Sequence, residues 1–407
     1  MKKNCIVAQS GGPTVAINAS LAGVIQGVID SDCFDKIYGS IHGIQGVFKK
    51  QFIDLTDSTE EFIDNLKKSP AMYLGSCRYK LPDITTDKEA YENLFSIFED
   101  MNVGAFFYIG GNDSMDTVDK LSQYAASIGS DIRVMGVPKT IDNDLIETDH
   151  TPGFGSAAKY IASSMREMAY DTYIYDISSV LIVEIMGRDA GWLTAASALA
   201  RNDFSQAPHL IYLPEVAFDK EQFIADIKQL MPTTKNIIIA VSEGIRDKDG
   251  NYISATTAAA DKFGHAQLSG TGKCLETLVK ERLGVKVRSV EINVLQRCAA
   301  HMASATDLEE SFQLGIKAVN LASDGHTGLM TTLTRVSDTP YKVDISYTPV
   351  SNVANKAKSV PKEWINPEGN NVTEDMINYI KPLVIGEVVQ SYENGISAYL
   401  PVKHLVN

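Results

Sequence analysis

Two short apolar runs, each ending in a loop of glycine and carboxylate residues, constrain this chain most. Ala105-Phe106-Phe107-Tyr108-Ile109 runs into Gly110-Gly111-Asn112-Asp113-Ser114, and Ile132-Arg133-Val134-Met135-Gly136-Val137 runs into Pro138-Lys139-Thr140-Ile141-Asp142-Asn143-Asp144. Runs of this kind read as strands buried on both faces of a parallel sheet. Open α/β sheets bind ligands at the carboxyl ends of their strands, so both loops are expected to face one crevice. Gly110 and Gly111 let a phosphate approach the backbone closely. The chain after Ser114 turns helical, and its free amides and dipole favour an anion. Asp142 and Asp144 stand two residues apart in an extended segment, so their side chains can point the same way. One carboxylate can take a proton from a hydroxyl nucleophile, while the other orients it or holds a metal. Lys139 puts a cation beside them. Gly, Asn and Asp are also ordinary turn residues, so the two loops together, and neither alone, carry the reading.

The rest of the chain repeats the alternation. Strand-like runs cover 5–8, 105–109, 132–137, 180–185, 210–213, 237–241 and 285–290, and helix-like runs cover 15–29, 114–126, 156–168, 193–200, 220–230 and 274–283. Alternation of this kind predicts an α/β fold with mainly parallel sheets flanked by helices. No internal repeat, low-complexity stretch or obvious linker interrupts it.

A chain of 407 residues is long enough for more than one lobe. Its net charge of −14 argues against nucleic acid or an anionic membrane as the main partner. An acidic protein that handled anionic ligands would have to concentrate cations locally, and Arg78, Lys139, Arg188, Arg288 and Arg297 all stand in or beside motifs. Cys5, Cys33, Cys77, Cys274 and Cys298 form no C-x-x-C pair and read as reduced thiols, not as a disulfide frame or zinc site. No apolar stretch approaches a membrane span. Met1-Lys2-Lys3-Asn4 lacks the apolar region of a signal peptide. A cytoplasmic location is therefore expected.

Six motifs in register then carry a resemblance: Gln9-Ser10-Gly11-Gly12-Pro13, Tyr73-Leu74-Gly75-Ser76-Cys77-Arg78, the two loops above, Met186-Gly187-Arg188, Ser242-Glu243-Gly244 and Gln296-Arg297. Over about residues 4 to 310 the chain resembles the phosphofructokinase family, specifically its pyrophosphate-dependent branch. The resemblance implies two similar α/β lobes: 1–150 plus about 296–320 as the phosphoryl-donor lobe and 151–295 as the sugar-phosphate lobe. Residues 321–407 would form a C-terminal extension packed on both. It implies magnesium, the substrates fructose 6-phosphate and pyrophosphate, and a homodimer or homotetramer.

The same resemblance distributes the roles. Asp142 becomes the general base, Asp144 its electrostatic support, and Lys139 and Arg78 stabilise the transferring phosphoryl group. Gly11, Gly12, Gly111, Asn112, Asp113, Ser114 and Lys139 would bind the diphosphate. Thr140, Asp142, Met186, Gly187, Arg188, Glu243, Arg288 and Arg297 would bind the sugar phosphate, with Arg288 or Arg297 supplied by a neighbouring subunit. In ATP-using relatives positions 113 and 139 are both glycine and leave room for an α-phosphate. Here Asp113 fills and charges that room, and Lys139 meets a terminal phosphate of pyrophosphate. Transfer from pyrophosphate to the 1-hydroxyl of fructose 6-phosphate is the expected reaction. The alternatives are an ATP-dependent 6-phosphofructokinase and a catalytically silent, sugar-phosphate-binding regulatory subunit.

Three positions depart from the family. Asn112 replaces an aspartate that holds magnesium, which leaves Asp113, Asp142 and the pyrophosphate oxygens as metal ligands. Val294 replaces a histidine and Ser179 an arginine of the 6-phosphate site, so the acceptor could extend to sedoheptulose 7-phosphate. Two further patterns fail on context. Gly153-Phe154-Gly155-Ser156-Ala157-Ala158 has dinucleotide spacing but follows no predicted strand, and is expected to start a helix. Gly270-Thr271-Gly272-Lys273-Cys274 resembles a Walker loop but has Gln267 where the first glycine belongs. His265 has no ligand partners at useful spacing.

Overall fold

The computed structural model describes residues 2–254, 268 and 270–406. His265 and Gln267 lie outside these. The elements, in chain order, are β1 (Lys3–Gln9), α1 (Ile17–Ser31), β2 (Phe34–Ser40), α2 (Gly43–Phe48), β3 (Phe52–Asp54), α3 (Glu60–Lys68), α4 (Lys88–Asp100), β4 (Val103–Gly110), α5 (Asn112–Ser127), β5 (Arg133–Pro138), α6 (Phe154–Tyr173), β6 (Ser179–Ile185), α7 (Trp192–Ala196), β7 (Leu210–Tyr212), α8 (Lys220–Leu230), β8 (Asn236–Ser242), α9 (Thr271–Leu283), β9 (Lys286–Glu291), α10 (Ala305–Ser323), β10 (Leu329–Asp338), β11 (Tyr341–Pro349), α11 (Glu374–Ile380), β12 (Ser391–Glu393) and β13 (Ile396–Ala398). All seven predicted strands form. The predicted 193–200 helix is α7 continued by a tighter turn, Ser197–Ala200.

One sheet has seven strands in the order β11-β10-β5-β4-β1-β2-β3, and another has four in the order β7-β8-β6-β9. The inner strands of the first pair in parallel, with Val7 beside Phe107 and Phe107 beside Met135. Every residue of β4 and of β8 is buried. Helices cover both faces, so no polar position is needed on these strands and their sequences read as unbroken apolar runs. From β1 the chain moves to β2 on one side, and from β4 to β5 on the other. The crevice at this reversal, between the carboxyl ends of β1 and β4, is where such sheets hold ligands.

After the four-stranded sheet the chain returns along α10. Leu314, Ala318 and Val319 share an apolar core with Leu21, Val24 and Ile25 of α1. The segment after α10 then serves both halves. β10 adds to β5 in parallel and β11 to β10 antiparallel. Val360, Ile365, Val372, Met376, Ile380 and Leu383 pack with Phe154, Ile161 and Leu193. Near the end, Leu400 and Leu405 rest on the first core, and His404 bonds the carbonyl of Tyr73 at 2.6 Å. Among the described residues no helix is long and apolar enough to cross a membrane.

Candidate active site

A cleft of about 690 Å³ opens where the carboxyl ends of β1, β4 and β5 face those of β6 and β8. Its first wall comes from the glycine loops. Gly11 has φ +81°, a conformation that favours glycine, and a Cβ there would stand 3.2 Å from Lys139 Nζ. Lys139 ties the two glycine loops together: its N–H donates to the Gly110 carbonyl at 2.9 Å and its ammonium to the Gly12 carbonyl at 2.6 Å. Asp113 is in the first turn of α5, exposed to the cleft, and Ser114 is buried beside it. The 73–78 loop is held by a buried polar pair. Gln9 Oε1 accepts from Leu74 N, Asn18 Oδ1 accepts from Tyr73 N, and Gln9 Nε2 donates to Asn18 Oδ1 at 3.0 Å. Ser76 Oγ donates to the Gly11 carbonyl at 2.6 Å, which brings Arg78 to the cleft wall.

Asp142 and Asp144 lie half-buried on the floor between the walls. The Asp142 amide donates to Thr140 Oγ1 at 3.1 Å, and Asn143 takes φ +53°, its side chain held by Thr151 N and by the Tyr379 hydroxyl. This kink leaves both flanking carboxyls toward the cavity. Burial raises the pKa of Asp142, and Arg188 and Lys139 oppose that rise. Asp144 is pushed up to about 7 by burial and then by the neighbouring Asp142 charge. Lys139 is 2% exposed, and burial lowers its ammonium to about 7 against the pull of Asp142 and Asp144. The floor therefore holds a carboxyl, Asp144, and an ammonium, Lys139, that both titrate close to neutrality.

The other wall carries Met186, Arg188 and Glu243. Glu243 follows β8, and its pKa is raised to about 7 by burial and by Asp142. Its Oε1 accepts from Gly187 N at 3.5 Å. Gln296, fully buried, accepts from Met186 N at 3.3 Å. Arg297, one residue on, reaches to 3.7 Å from where a Gly12 Cβ would stand, so it spans toward the wall of glycine loops. Among the described residues Arg188 Nε is buried without a hydrogen-bond partner, and an arginine left in that state asks for an anion or hydroxyl acceptor from outside the chain.

Thus Gly11, Gly12, Arg78, Gly111, Asn112, Asp113, Ser114, Lys139, Thr140, Asp142, Asp144, Met186, Arg188, Glu243 and Arg297 share one cavity. Gly187 is next to it, between Met186 and Arg188. Arg288 does not join them. It is exposed on the edge strand β9 and lines a separate hollow of about 110 Å³ with Tyr175, Ser179, Lys286 and Val290. Ser179 lies in that same hollow, where its Oγ accepts from Asn236 at 2.9 Å. Val294 is 47% exposed.

The sequence reading did not include Asn355, Lys356, Ala357, Lys358 and Ser359, which close the cleft's remaining side. Lys358 donates to the carbonyls of Thr148 and Asp149 at 2.9 and 2.6 Å, and burial lowers its pKa to about 8. Two lysines in one loop were the available signal, by the same argument that singled out the other cations. The two rejected motifs each start a helix whose amides already meet an internal carboxylate. Asp307 accepts from Gly153 N and Ser156 N, both at 2.9 Å, and Glu184 accepts from Gly272 N at 2.7 Å.

Among the described residues no three or more His, Cys, Asp or Glu side chains gather as a metal cage. The cleft instead offers Asp113, Asp142 and Asp144 as separate carboxylates. That donor set fits magnesium, which is commonly bound by one or two carboxylates together with substrate phosphates.

The phosphofructokinase family model matches residues 4–322. The chain is 41% identical over 396 residues to the pyrophosphate–fructose 6-phosphate 1-phosphotransferase of Halomonas elongata, covering 97% of this chain and 94% of that one. It is also 41% identical over 405 residues to the protein of that name from Xanthomonas campestris, with 99% and 96% covered. A solved pyrophosphate-dependent phosphofructokinase from Nitrosospira multiformis aligns with a TM-score of 0.90 at 37% identity, over 98% and 96% of the two chains.

Proposed function

Because this chain belongs to the phosphofructokinase family, we propose that it catalyses reversible, magnesium-dependent phosphoryl transfer from pyrophosphate to the 1-hydroxyl of fructose 6-phosphate. The products are fructose 1,6-bisphosphate and phosphate. The observation that carries the choice of donor is the pairing of Lys139, bonded to the Gly12 carbonyl at 2.6 Å, with Asp113 in the same cleft. Lys139 fits a terminal phosphate, and Asp113 opposes the third phosphate of a nucleotide by charge and bulk.

In this reading Asp142 removes the proton from the 1-hydroxyl as its oxygen attacks the near phosphorus, and Asp144 supports it. The bond to the bridging oxygen breaks, and phosphate leaves toward the Gly11-Gly12 and Gly110-Gly111 loops. Lys139 and Arg78 stabilise the charge that spreads over the transferring oxygens. Asp113, with Asp142 or Asp144, would hold magnesium, which when bound neutralises phosphate charge. Thr140, Met186, Gly187, Arg188, Glu243 and Arg297 grip the sugar phosphate.

The lobe division at about 150 and 295, a cytoplasmic location and a homo-oligomer belong to the same proposal. Arg288 supports the last: it faces away from its own chain's cleft, on an edge strand that also exposes Val290. Supplying fructose 1,6-bisphosphate, inorganic phosphate and magnesium tests the reaction in reverse. Pyrophosphate and fructose 6-phosphate should accumulate together in equal amounts, and failure to form pyrophosphate would overturn the assignment.

A further inference from the structure

Residues 355–360 lie beyond residue 322, where the match to the family ends, yet they complete the cleft. They form a strap fastened at both ends. At the first end Asn355 N donates to Asn112 Oδ1 at 2.6 Å, Asn112 Nδ2 donates to the Lys356 carbonyl, and Asn355 Nδ2 donates to Asp116 Oδ1 at 2.8 Å. At the second end Lys358 N donates to the Asp144 carbonyl at 2.7 Å and Val360 N to Glu215 Oε1 at 2.9 Å. Trp192 Nε1 donates to the Lys358 carbonyl at 3.4 Å. The strap therefore runs from α5, across the Asp144 loop, to the elements around β7.

Asn112 uses both ends of its amide on this strap. An aspartate at 112 could still accept from Asn355 N, but it would set a carboxylate against the Lys356 carbonyl and lose one of the two bonds. The clip thus requires an amide. Its position matters because Asn112 precedes Asp113, and the strap lines the same cavity as Asp113 and Thr117. Residues 355–359 are therefore fixed beside the first turn of α5, within the cavity that a longer phosphate chain would have to share.

Resting on the diphosphate reading above, we infer that Asn112 is a positioning residue: it fastens the strap 355–359 as the outer wall of the donor pocket, and this wall limits the donor to two phosphates. Donor size is then set twice, by Asp113 and Lys139 within the pocket and by the strap at its edge.

The test compares inorganic diphosphate with inorganic tripolyphosphate, at saturating magnesium and sugar phosphate, in wild type, Asn112→Asp and Asn355→Gly. Asn355 has φ +60°, so glycine keeps the backbone while removing the bond to Asp116. In both variants the ratio of kcat/KM for tripolyphosphate over diphosphate should rise roughly tenfold, the usual scale for losing one element of exclusion. The KM for sugar phosphate should stay within about twofold, because among the described residues no hydrogen bond joins the strap to a residue assigned to that substrate. A ratio that stays at the wild-type value in both variants, with diphosphate turnover retained, overturns the inference. So does an Asn112→Asp enzyme that needs less magnesium for half-maximal rate while its donor ratio is unmoved, since position 112 would then act on the metal. Wild type inactive with diphosphate overturns the donor reading and this inference with it, which separates the two failures.

Discussion

The two walls of the cleft are finished to different degrees. On the donor wall, Lys139 and the loops are held by the chain itself: Lys139 by the Gly110 and Gly12 carbonyls, the 73–78 loop by Gln9 and Asn18, the strap by Asn112 and Asp144. On the sugar wall, Arg188 Nε is buried with no partner among the described residues, and Arg288 lies in a different hollow. Phosphoryl transfer asks for donors fixed in place before charge develops, because reorienting them during reaction would raise the barrier. Sugar recognition can instead be completed on binding, with the ligand or a second copy of the chain supplying the missing partner. The contrast suggests that the chemistry is pre-built and the acceptor site is assembled.

Four outcomes break or sharpen that contrast. The largest concerns the floor between the walls. Asp142→Ala should lower kcat by about 10² to 10⁴, with a smaller change in KM, as expected on losing a general base; near-normal kcat would take Asp142 out of the chemistry. Next, Asp113→Gly with Lys139→Gly should shift the kcat/KM ratio of ATP over pyrophosphate upward by about one or more tenfold steps. Adding Asn112→Asp should shift it further, and an unmoved ratio would show that the donor wall does not choose the donor.

The third outcome addresses the unfinished wall. Arg288→Ala should reduce kcat/KM for the sugar phosphate roughly tenfold or more, the scale of one charged hydrogen bond. Mixing Arg288→Ala with Asp142→Ala subunits should restore part of the activity, since some neighbours then combine an intact base with an intact arginine. No restoration, with mixed oligomers demonstrated by mass, would place Arg288 outside the neighbour's site.

The smallest effect is in pH. Burial raises the pKa of Asp142 above the ordinary carboxylate value and that of Asp144 to about 7, so the pair takes up protons as pH falls, Asp144 near neutrality. Lys139 is lowered to about 7, so the free enzyme loses that cation as pH rises through the same range. The profile of kcat/KM for pyrophosphate should therefore be a narrow bell near neutrality. In kcat the alkaline limb should move upward, because bound phosphate charge holds the proton on Lys139. Lys139→Arg should remove that limb; a limb that persists belongs to another group, with Lys358 at about 8 the nearest candidate.

Much of the donor wall was legible in the sequence because its elements are local. A buried strand, a glycine turn and a helix start are contiguous in 103–127, and β5 with its carboxylate loop is contiguous in 133–144. The strands of the four-stranded sheet were legible for the same reason. What escaped depends on long-range partners. Residues 355–359 carry no motif, and they join the cleft because distant residues, among them Asn112, Asp116 and Asp144 more than 200 positions earlier, hold them there. The edge of the first sheet was equally hidden, since β10 reaches β5 after the chain has passed through the whole second sheet. The placement of Arg288 in another hollow could not be read from its motif, which fixes its neighbours in sequence but not the direction of an edge strand. Asn112 was visible as a departure from the family, but the two bonds of its amide run to Asn355 and Lys356, far along the chain.

The central claim is that the donor wall is shaped for pyrophosphate. One preparation should be assayed with magnesium and fructose 6-phosphate, first with pyrophosphate and then with ATP, following fructose 1,6-bisphosphate. The account predicts rapid turnover with pyrophosphate and little or none with ATP. Turnover of ATP as fast as pyrophosphate would contradict it, because Asp113, Lys139 and the strap would then leave room for a third phosphate.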